Sequence, residues 1–273
     1  MNENNKSIAE LEAELLNYDG ADKIVASTEL HSRLNAISNT EIKYLSHIHT
    51  LDELTEGFQS GEVVTMSGRT KCGKTSFCQT LTYNYAVQGI SCLWFTYEIP
   101  VRYFLAKFPS LPLFYLPETL TDTSLDWIEK RIVEAKLKYD TKVVFVDHLH
   151  YLIPMSQQAN VSILIGGVMR ELKKMSIRHD VVIFIIAHTG KVNGEAKPSL
   201  DSIRDSSFVA QESDFVLMIS RPDIDEDNQE ANNDNKSKLR VLANRRTGRR
   251  GCIDMIYQDN MFKEVQRIGG NNA

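Results

Sequence analysis

Apolar positions along this chain fall into two alternating rhythms. Five short runs are apolar at nearly every position: VVTMSG (63–68), SCLWFTYE (91–98), KVVFVDH (142–148), VVIFIIAH (181–188) and FVLMISR (215–221). Between them lie longer stretches with apolar residues three and four apart, notably KTSFCQTLTYNYAV (74–87), SLDWIEKRIVEAKLKY (124–139) and ILIGGVMRELKKMSIRH (163–179). The continuous runs predict strands buried on both faces, and the periodic stretches predict helices. Their alternation predicts an α/β fold with a mainly parallel central sheet flanked by helices, whose ligands bind beyond the carboxyl ends of the strands. Two later runs, KLRVLANRR (238–246) and CIDMIYQD (252–259), flank the turn TGRRG and predict a C-terminal antiparallel hairpin.

Ahead of Leu51 the pattern is weaker. KSIAELEAELLNY (6–18) predicts an amphipathic helix, with Ser7 as its cap and Glu10 closing a capping box. Such a helix either packs on a neighbouring subunit or folds onto its own domain. Residues 19 to 45 carry little signal. Three segments are therefore expected: a helix and linker over 1–44, the α/β domain over 45–268 and a disordered tail over 269–273. RPDIDEDNQEANNDNKSK (221–238) is acidic and rich in Asn, and predicts an exposed loop.

Composition narrows the function classes. The 273 residues carry 31 Lys and Arg against 36 Asp and Glu, a net charge of −5. That excludes a broad basic wrapping surface for DNA, but not nucleic acid held in a narrow channel. The opening MNENNKSIAE is polar, unlike a secretory signal, and the most apolar run, VVIFIIA, is too short to span a bilayer. A cytoplasmic protein with no membrane partner is expected. The four cysteines, Cys72, Cys78, Cys92 and Cys252, have no metal-type spacing and are expected to be free thiols. Cys72 is either an oxidation-sensitive thiol or a small tolerated residue.

The chemistry centres on SGRTKCGKTSF (67–77), which fits G-x-x-x-x-G-K-[ST] between a predicted strand and a predicted helix. Its glycines let successive N–H groups turn inward and form an anion nest. Residues Gly68, Arg69, Thr70, Lys71, Cys72, Gly73, Lys74, Thr75 and Ser76 are the expected nucleotide-binding loop. Lys74 reaches the β- and γ-phosphates of ATP, and the Thr75 hydroxyl takes one position on Mg²⁺. Other strand ends offer further groups. Asp147 closes KVVFVDH and is expected to hold the Mg²⁺ water shell. Glu98 follows LWFTY, whose strand comes directly after the loop helix and is expected to neighbour the loop strand. A carboxylate there can polarise the attacking water. His188 ends VVIFIIAH, where it can contact the γ-phosphate and report hydrolysis to the following segment.

That segment, TGKVNGEAKPSLDSIRDSS (189–207), is polar and contains glycine. Lys191, Lys197 and Arg204 can face phosphates, which suits a moving contact to nucleic acid. LANRRTGRRG supplies Arg245, Arg246, Arg249 and Arg250. One of these can act as an arginine finger in a neighbour's site. Arg245 is favoured because it continues the alternation from Val241 and Ala243, and Arg246 is the alternative.

GRTKCGKTS, FTYEIP, VFVDHLHYL, IIAHTGK, KPSLDSIRDSSFVAQESDFVLMISR and VLANRRTG follow one another in an order that resembles the C-terminal ATPase domain of DnaB-type replicative helicases, a RecA-like P-loop fold. The resemblance covers roughly residues 45 to 266. It implies an ATP hydrolase that moves on single-stranded DNA during replication, as a hexameric ring with ATP sites between subunits. It implies that Lys74 and Thr75 are the Walker A pair, Glu98 the catalytic glutamate, Asp147 the Walker B aspartate and Arg245 the finger. It further implies that Arg204, Asp205 and Ser206 touch the DNA backbone in the central channel. The sequence departs from the pattern in three places. His188 stands where the family usually has Gln. Ala243 stands where a Lys usually contacts the neighbour's γ-phosphate, a role for which Arg246 or Arg249 is the substitute. The family's N-terminal helical domain, which meets primase, does not fit ahead of residue 45, so any link to primase must run differently or be absent, and a primase or loader partner stays open. Two other readings stand beside the helicase: a RecA- or KaiC-like ATPase that does not unwind DNA, and a nucleotide-binding assembly subunit with poor turnover.

Overall fold

The computed structural model describes residues 7–20, 22–37, 42–153, 160–188, 206–221 and 235–265. The chain divides into two units, Met1–Glu41 and Ile42–Ala273. In the first, α1 (Ile8–Leu16) begins at the expected capping box. The Glu10 N–H donates to Ser7 Oγ at 3.3 Å, and the Ser7 N–H donates to the Glu10 carboxylate at 2.9 Å. No residue of α1 is buried. A second helix, α2 (Ser27–Ile37), lies in the stretch where the sequence pattern is weak.

The larger unit runs α3 (His49–Thr55), β1 (Val63–Gly68), α4 (Lys74–Val87), β2 (Cys92–Thr96), α5 (Val101–Leu105), α6 (Leu125–Tyr139), β3 (Val143–Asp147), a 3-10 turn (Leu149–Leu152), α7 (Val161–Arg178), β4 (Val182–His188), α8 (Ser206–Glu212), β5 (Phe215–Ser220), β6 (Lys236–Asn244), β7 (Gly251–Gln258) and β8 (Met261–Glu264). One sheet takes the order β2-β3-β4-β1-β5-β6-β7-β8. The first five strands in that order are mutually parallel, and β6, β7 and β8 are antiparallel. The mainly parallel sheet and its antiparallel C-terminal extension agree with the sequence expectation.

One expectation about neighbours is corrected. The strand after the loop helix does not lie beside the loop strand, because β3 and β4 stand between β2 and β1. Composition misleads here for a physical reason. An edge strand is ordinarily half-polar, but β2 is fully buried. The segment through Tyr115 covers its free edge: the Trp94 N–H donates to the Tyr115 carbonyl at 2.9 Å, and the Tyr115 N–H donates to the Cys92 carbonyl at 2.8 Å.

Both sheet faces are packed, as the apolar strands require. On one face Trp94 stacks on Phe145 at 4.7 Å and Phe145 on Phe184 at 4.9 Å. Phe58 then meets Phe184 and Phe215 edge-on at 5.1 and 5.3 Å. Aromatic pairs of this geometry add about 0.5–1.5 kcal/mol each beyond the area they bury. On the other face α6 lays down Ile128, Ile132 and Ala135, and α7 lays down Ile165, Met169, Leu172 and Met175, at helical spacing. Gly166 lets α8 approach α7, since a Cβ there would stand 2.9 Å from the Phe208 ring. Asp214, just before β5, accepts from the Val63 N–H at 2.8 Å and from Lys173 Nζ at 2.7 Å. It thus ties the start of β1 to α7. No helix among the described residues is long and apolar enough to cross a membrane.

The C-terminal hairpin carries a third strand that the sequence pattern did not flag. Asp259 and Asn260 both have positive φ, 54° and 59°, and form the two-residue turn that leads into β8. Phe262 of β8 packs beside Phe77 of α4, and its N–H donates to Thr80 Oγ1 at 3.0 Å.

Candidate active site

β1 delivers the glycine loop to the carboxyl end of the parallel strands. Gly68 and Gly73 adopt φ of 150° and 103°, where a side chain is strained. Space also demands glycine. A Cβ on Gly68 would stand 2.4 Å from the Ile219 carbonyl oxygen, and one on Gly73 2.8 Å from the Phe262 ring. Gly73 caps α4, so the first N–H groups and the positive end of that helix open into the loop.

Lys74 folds back over the loop. Its Nζ donates to the Gly68 and Arg69 carbonyls, both at 2.9 Å, and lies 3.1 Å from His188 Nδ1. Burial lowers the pKa of this ammonium, against the pull of Cys72, Glu98 and Asp147. The Thr75 hydroxyl donates to Asp147 Oδ2 at 2.7 Å. Asp147 is fully buried, and its other oxygen, Oδ1, has no hydrogen-bond partner. Burial pushes the Asp147 carboxyl up to about 7; the Thr75 hydrogen bond opposes this and the Glu98 charge adds to it. A carboxylate with an orphaned buried oxygen beside a threonine hydroxyl is an oxygen donor set that fits Mg²⁺.

Glu98 reaches this place although β2 lies at the sheet edge. The Tyr97 and Glu98 N–H groups donate to the Asp147 carbonyl at 2.8 and 3.3 Å, which draws the end of β2 across β3. The Glu98 Oε2 lies 3.8 Å from His188 Nε2 and 3.9 Å from His148 Nδ1. The two imidazoles meet edge-to-face with centroids 4.5 Å apart. Burial lowers the pKa of His188, and Lys74 lowers it further. His148 is pushed down to about 4 by burial, with His188 and His150 adding to the effect. Both shifts favour the neutral imidazole.

A cleft of about 380 Å³ opens over the loop, lined by Lys71, Lys74, Thr75, Glu98 and His188 among others. Lys107 and Arg221 also line it, and neither is among the residues expected from sequence. Arg221 directly follows β5, at the same carboxyl end of the sheet where Asp147 and His188 close β3 and β4 and Glu98 lies just past β2, so the strand-end rule was a signal for it. Lys107 lies past the short helix α5, where no spacing marks it. Cys72 is buried within the loop, and burial raises its thiol pKa, so the environment favours an inert thiol. All four cysteines are free.

The arginines lie elsewhere. Phe215 pairs with Val64 on one side and with Asn244 on the other. Asn244 is thus level with the start of β1, four residues and roughly 13 Å from Gly68 at its end. Arg245, in the following turn, stands at the end of the sheet opposite its own glycine loop. Its guanidinium donates to the Gln211 carbonyl and lies 3.9 Å from Asp214, with the side chain 55% exposed. Arg246 is only 23% exposed. It donates to the Thr55 and Gly57 carbonyls, lies 3.1 Å from Glu62 and covers the Phe215 ring at 5.4 Å. Arg249 pairs with Glu56 at 3.2 Å. The alternation offered for Arg245 does not survive. A bulge in β6 leaves Leu242 unpaired opposite the Val216–Leu217 step of β5, so Val241 and Ala243 face opposite sides of the sheet. Lys191, Lys197, Arg204 and Asp205 lie outside the described residues, and Ser206 begins α8.

Comparison with known proteins places this geometry. The family model described as DnaB-like helicase C terminal domain matches residues 45–110 and 110–265. The chain is 22% identical over 246 residues to the replicative DNA helicase DnaB of Treponema pallidum (strain Nichols), covering 79% of this chain and 54% of that protein. It is 23% identical over 309 residues to a probable replicative DNA helicase of Trieres chinensis, covering 94% of this chain and 65% of that protein. The chain thus spans between half and two thirds of the length of these curated relatives. A solved DnaB-like replicative helicase, described with its interactions with primase, aligns over 95% of this chain and 72% of its own, with a TM-score of 0.74 and 18% identity. That likeness shows the fold, the mainly parallel α/β sheet with its helices on both faces.

Proposed function

This chain belongs to the family of DnaB-like helicase C-terminal domains, and from that premise we propose that it hydrolyses ATP to move along single-stranded DNA during replication. The observation that carries the reading is the convergence of Lys74, Thr75, Glu98 and His188 on one cleft, with Asp147 buried behind it and hydrogen-bonded to Thr75, so that four separate strand ends meet. A protein that only held nucleotide would have no use for Glu98 above the loop.

Each residue has a task in this reading. The N–H groups of residues 68–76 and the Lys74 ammonium hold the β- and γ-phosphates. Thr75 and Asp147 would hold Mg²⁺, which supplies charge neutralisation at the phosphates. Glu98 accepts a proton from water as the water oxygen attacks the γ-phosphorus. The bond to the β–γ bridging oxygen breaks, and ADP and phosphate leave. His188 donates to a γ-phosphate oxygen and loses that contact when phosphate departs. The segment that follows it carries Lys191, Lys197, Arg204, Asp205 and Ser206, the proposed DNA contacts. Coupling them to His188 would turn hydrolysis into movement.

Arg245 stands at the wrong end of the sheet for its own nucleotide. Its proposed role is therefore in trans, at the γ-phosphate of a neighbouring copy, which requires a ring. A hexamer is the proposed state, in a cytoplasmic setting, with residues 1–44 as a helical linker and 269–273 as a tail. Ala243 supplies no amine and Arg246 is committed to its own subunit, which leaves Arg249, 55% exposed beside Glu56, as the substitute that would assist Arg245. The experiment is ATP hydrolysis by the purified chain with and without single-stranded DNA. Strong stimulation is expected. Appreciable hydrolysis indifferent to DNA would overturn the translocase reading.

A further inference from the structure

Two imidazoles and a carboxylate meet beside Lys74, and one of them, His148, has no part in the hydrolysis proposed above. One ligand atom from each of Glu98, His148 and His188 lies within 4.8 Å of the other two, the one such group among the described residues. The Glu98 Oε2 stands 3.8 and 3.9 Å from the two imidazole nitrogens. Tetrahedral ligation with bonds of about 2.0–2.2 Å spaces its ligand atoms about 3.4 Å apart, so small side-chain rotations close the set. His148 Nδ1 is buried and makes no hydrogen bond, an unusual state that a bound ion would relieve.

The donor types decide the ion. Two nitrogens and one oxygen suit zinc-like cations, whereas Mg²⁺ takes oxygen ligands. We propose that Glu98, His148 and His188 form a site for a divalent transition ion of the Zn²⁺ class, separate from the Mg²⁺ donor set at Thr75 and Asp147. Ligation has one local cost. His188 Nδ1 accepts from Lys74, which leaves the ring proton on Nε2. The ion moves that proton to Nδ1, and Lys74 keeps its bonds to the Gly68 and Arg69 carbonyls. A fourth position faces the nucleotide cleft, which Glu98 and His188 line. Occupancy ties up Glu98, so the ion inhibits hydrolysis.

The test is metal binding by the full chain without nucleotide, which does not depend on the helicase reading. Co²⁺ is titrated in while its visible absorption is followed, and Zn²⁺ is then added to displace it. One displaceable Co²⁺ per chain is expected, with affinity lowered at least tenfold by His148→Gln. Glu98→Gln, at a partly exposed carboxylate, should do the same while the circular dichroism and melting temperature stay unchanged. His179→Gln, whose ring pairs with Glu129, should bind as the parent does. No stoichiometric binding, or undiminished binding by both His148→Gln and Glu98→Gln, would overturn the proposal. Binding that disappears with Cys252→Ser would overturn it too, because that thiol is exposed.

Discussion

Nδ1 of His188 lies 3.1 Å from the ammonium of Lys74. The sheet register causes this, because Gly68 at the end of β1 pairs with His188 at the end of β4. The nucleotide loop and the strand end beside it are therefore joined before any phosphate arrives. A γ-phosphate would replace the imidazole as the third partner of Lys74.

If His188 then contacts the phosphate, its replacement by Ala removes one hydrogen bond to a charged group. Such a bond is worth about 1.5–3 kcal/mol, roughly ten- to hundredfold in hydrolysis rate. His188→Gln keeps a donor at the same strand end and should restore most of the rate. Single-turnover hydrolysis of the three proteins measures this. Equal rates for Ala and Gln would remove His188 from the phosphate contact.

Asp147 gives a pH dependence whose sign is fixed. Its folded pKa of about 7 is raised above the ordinary 3.8. The folded chain thus keeps a proton over an interval in which the unfolded chain has released it. The contribution to stability is complete below about pH 4 and is lost as pH rises through 7. Asp147→Asn ends that titration. Without nucleotide it should melt at higher temperature than the parent at pH 8, by a margin that shrinks at pH 5, and it should lose Mg²⁺-dependent hydrolysis. Melting curves at the two pH values decide it, and a margin independent of pH would count against a buried charge.

Glu98→Gln should bind ATP as the parent does and hydrolyse it roughly 10²- to 10⁴-fold more slowly, the usual share of a general base. Fluorescent-nucleotide binding and phosphate release separate the two effects. Unchanged turnover would exclude Glu98 as the base.

Arg245 and Arg246 should differ in kind. Arg245→Ala should leave the melting temperature alone and cut hydrolysis by about 10³ or more. In rings mixed with a Lys74→Ala variant, part of the activity should return. Arg246→Ala strands the buried Glu62 carboxylate and uncovers the Phe215 ring, so it should lower stability by about 2 kcal/mol. The opposite pattern would make Arg246 the finger.

What the sequence disclosed follows from where information is local. The loop, Asp147 and His188 were legible because each sits within or just after an apolar run whose direction fixes the strand end. The capping box at Ser7 and Glu10 was legible for the same reason, being complete within four residues. The sheet order was not, because β2 reads as a central strand while Tyr115, nineteen residues past the end of β2, covers its edge. The parity of β6 was hidden because a bulge at Leu242 depends on the strand opposite. The short helices α3, α5 and α8 hold too few turns to show a period, and β8 has only four residues. Arg221 was missed because it opens an acidic stretch, and its charge was read with that stretch instead of with β5.

Phe262 supports Gly73 from beneath, yet the two residues lie far apart along the chain. A polypeptide leaves the ribosome from its amino end, so the glycine loop emerges long before the strand that forms its floor. Nascent chains should accordingly hold the nucleotide motif without the competence to use it. Capture of ATP would begin only when translation has passed Met261, which times the first engagement of fuel to the completion of the domain.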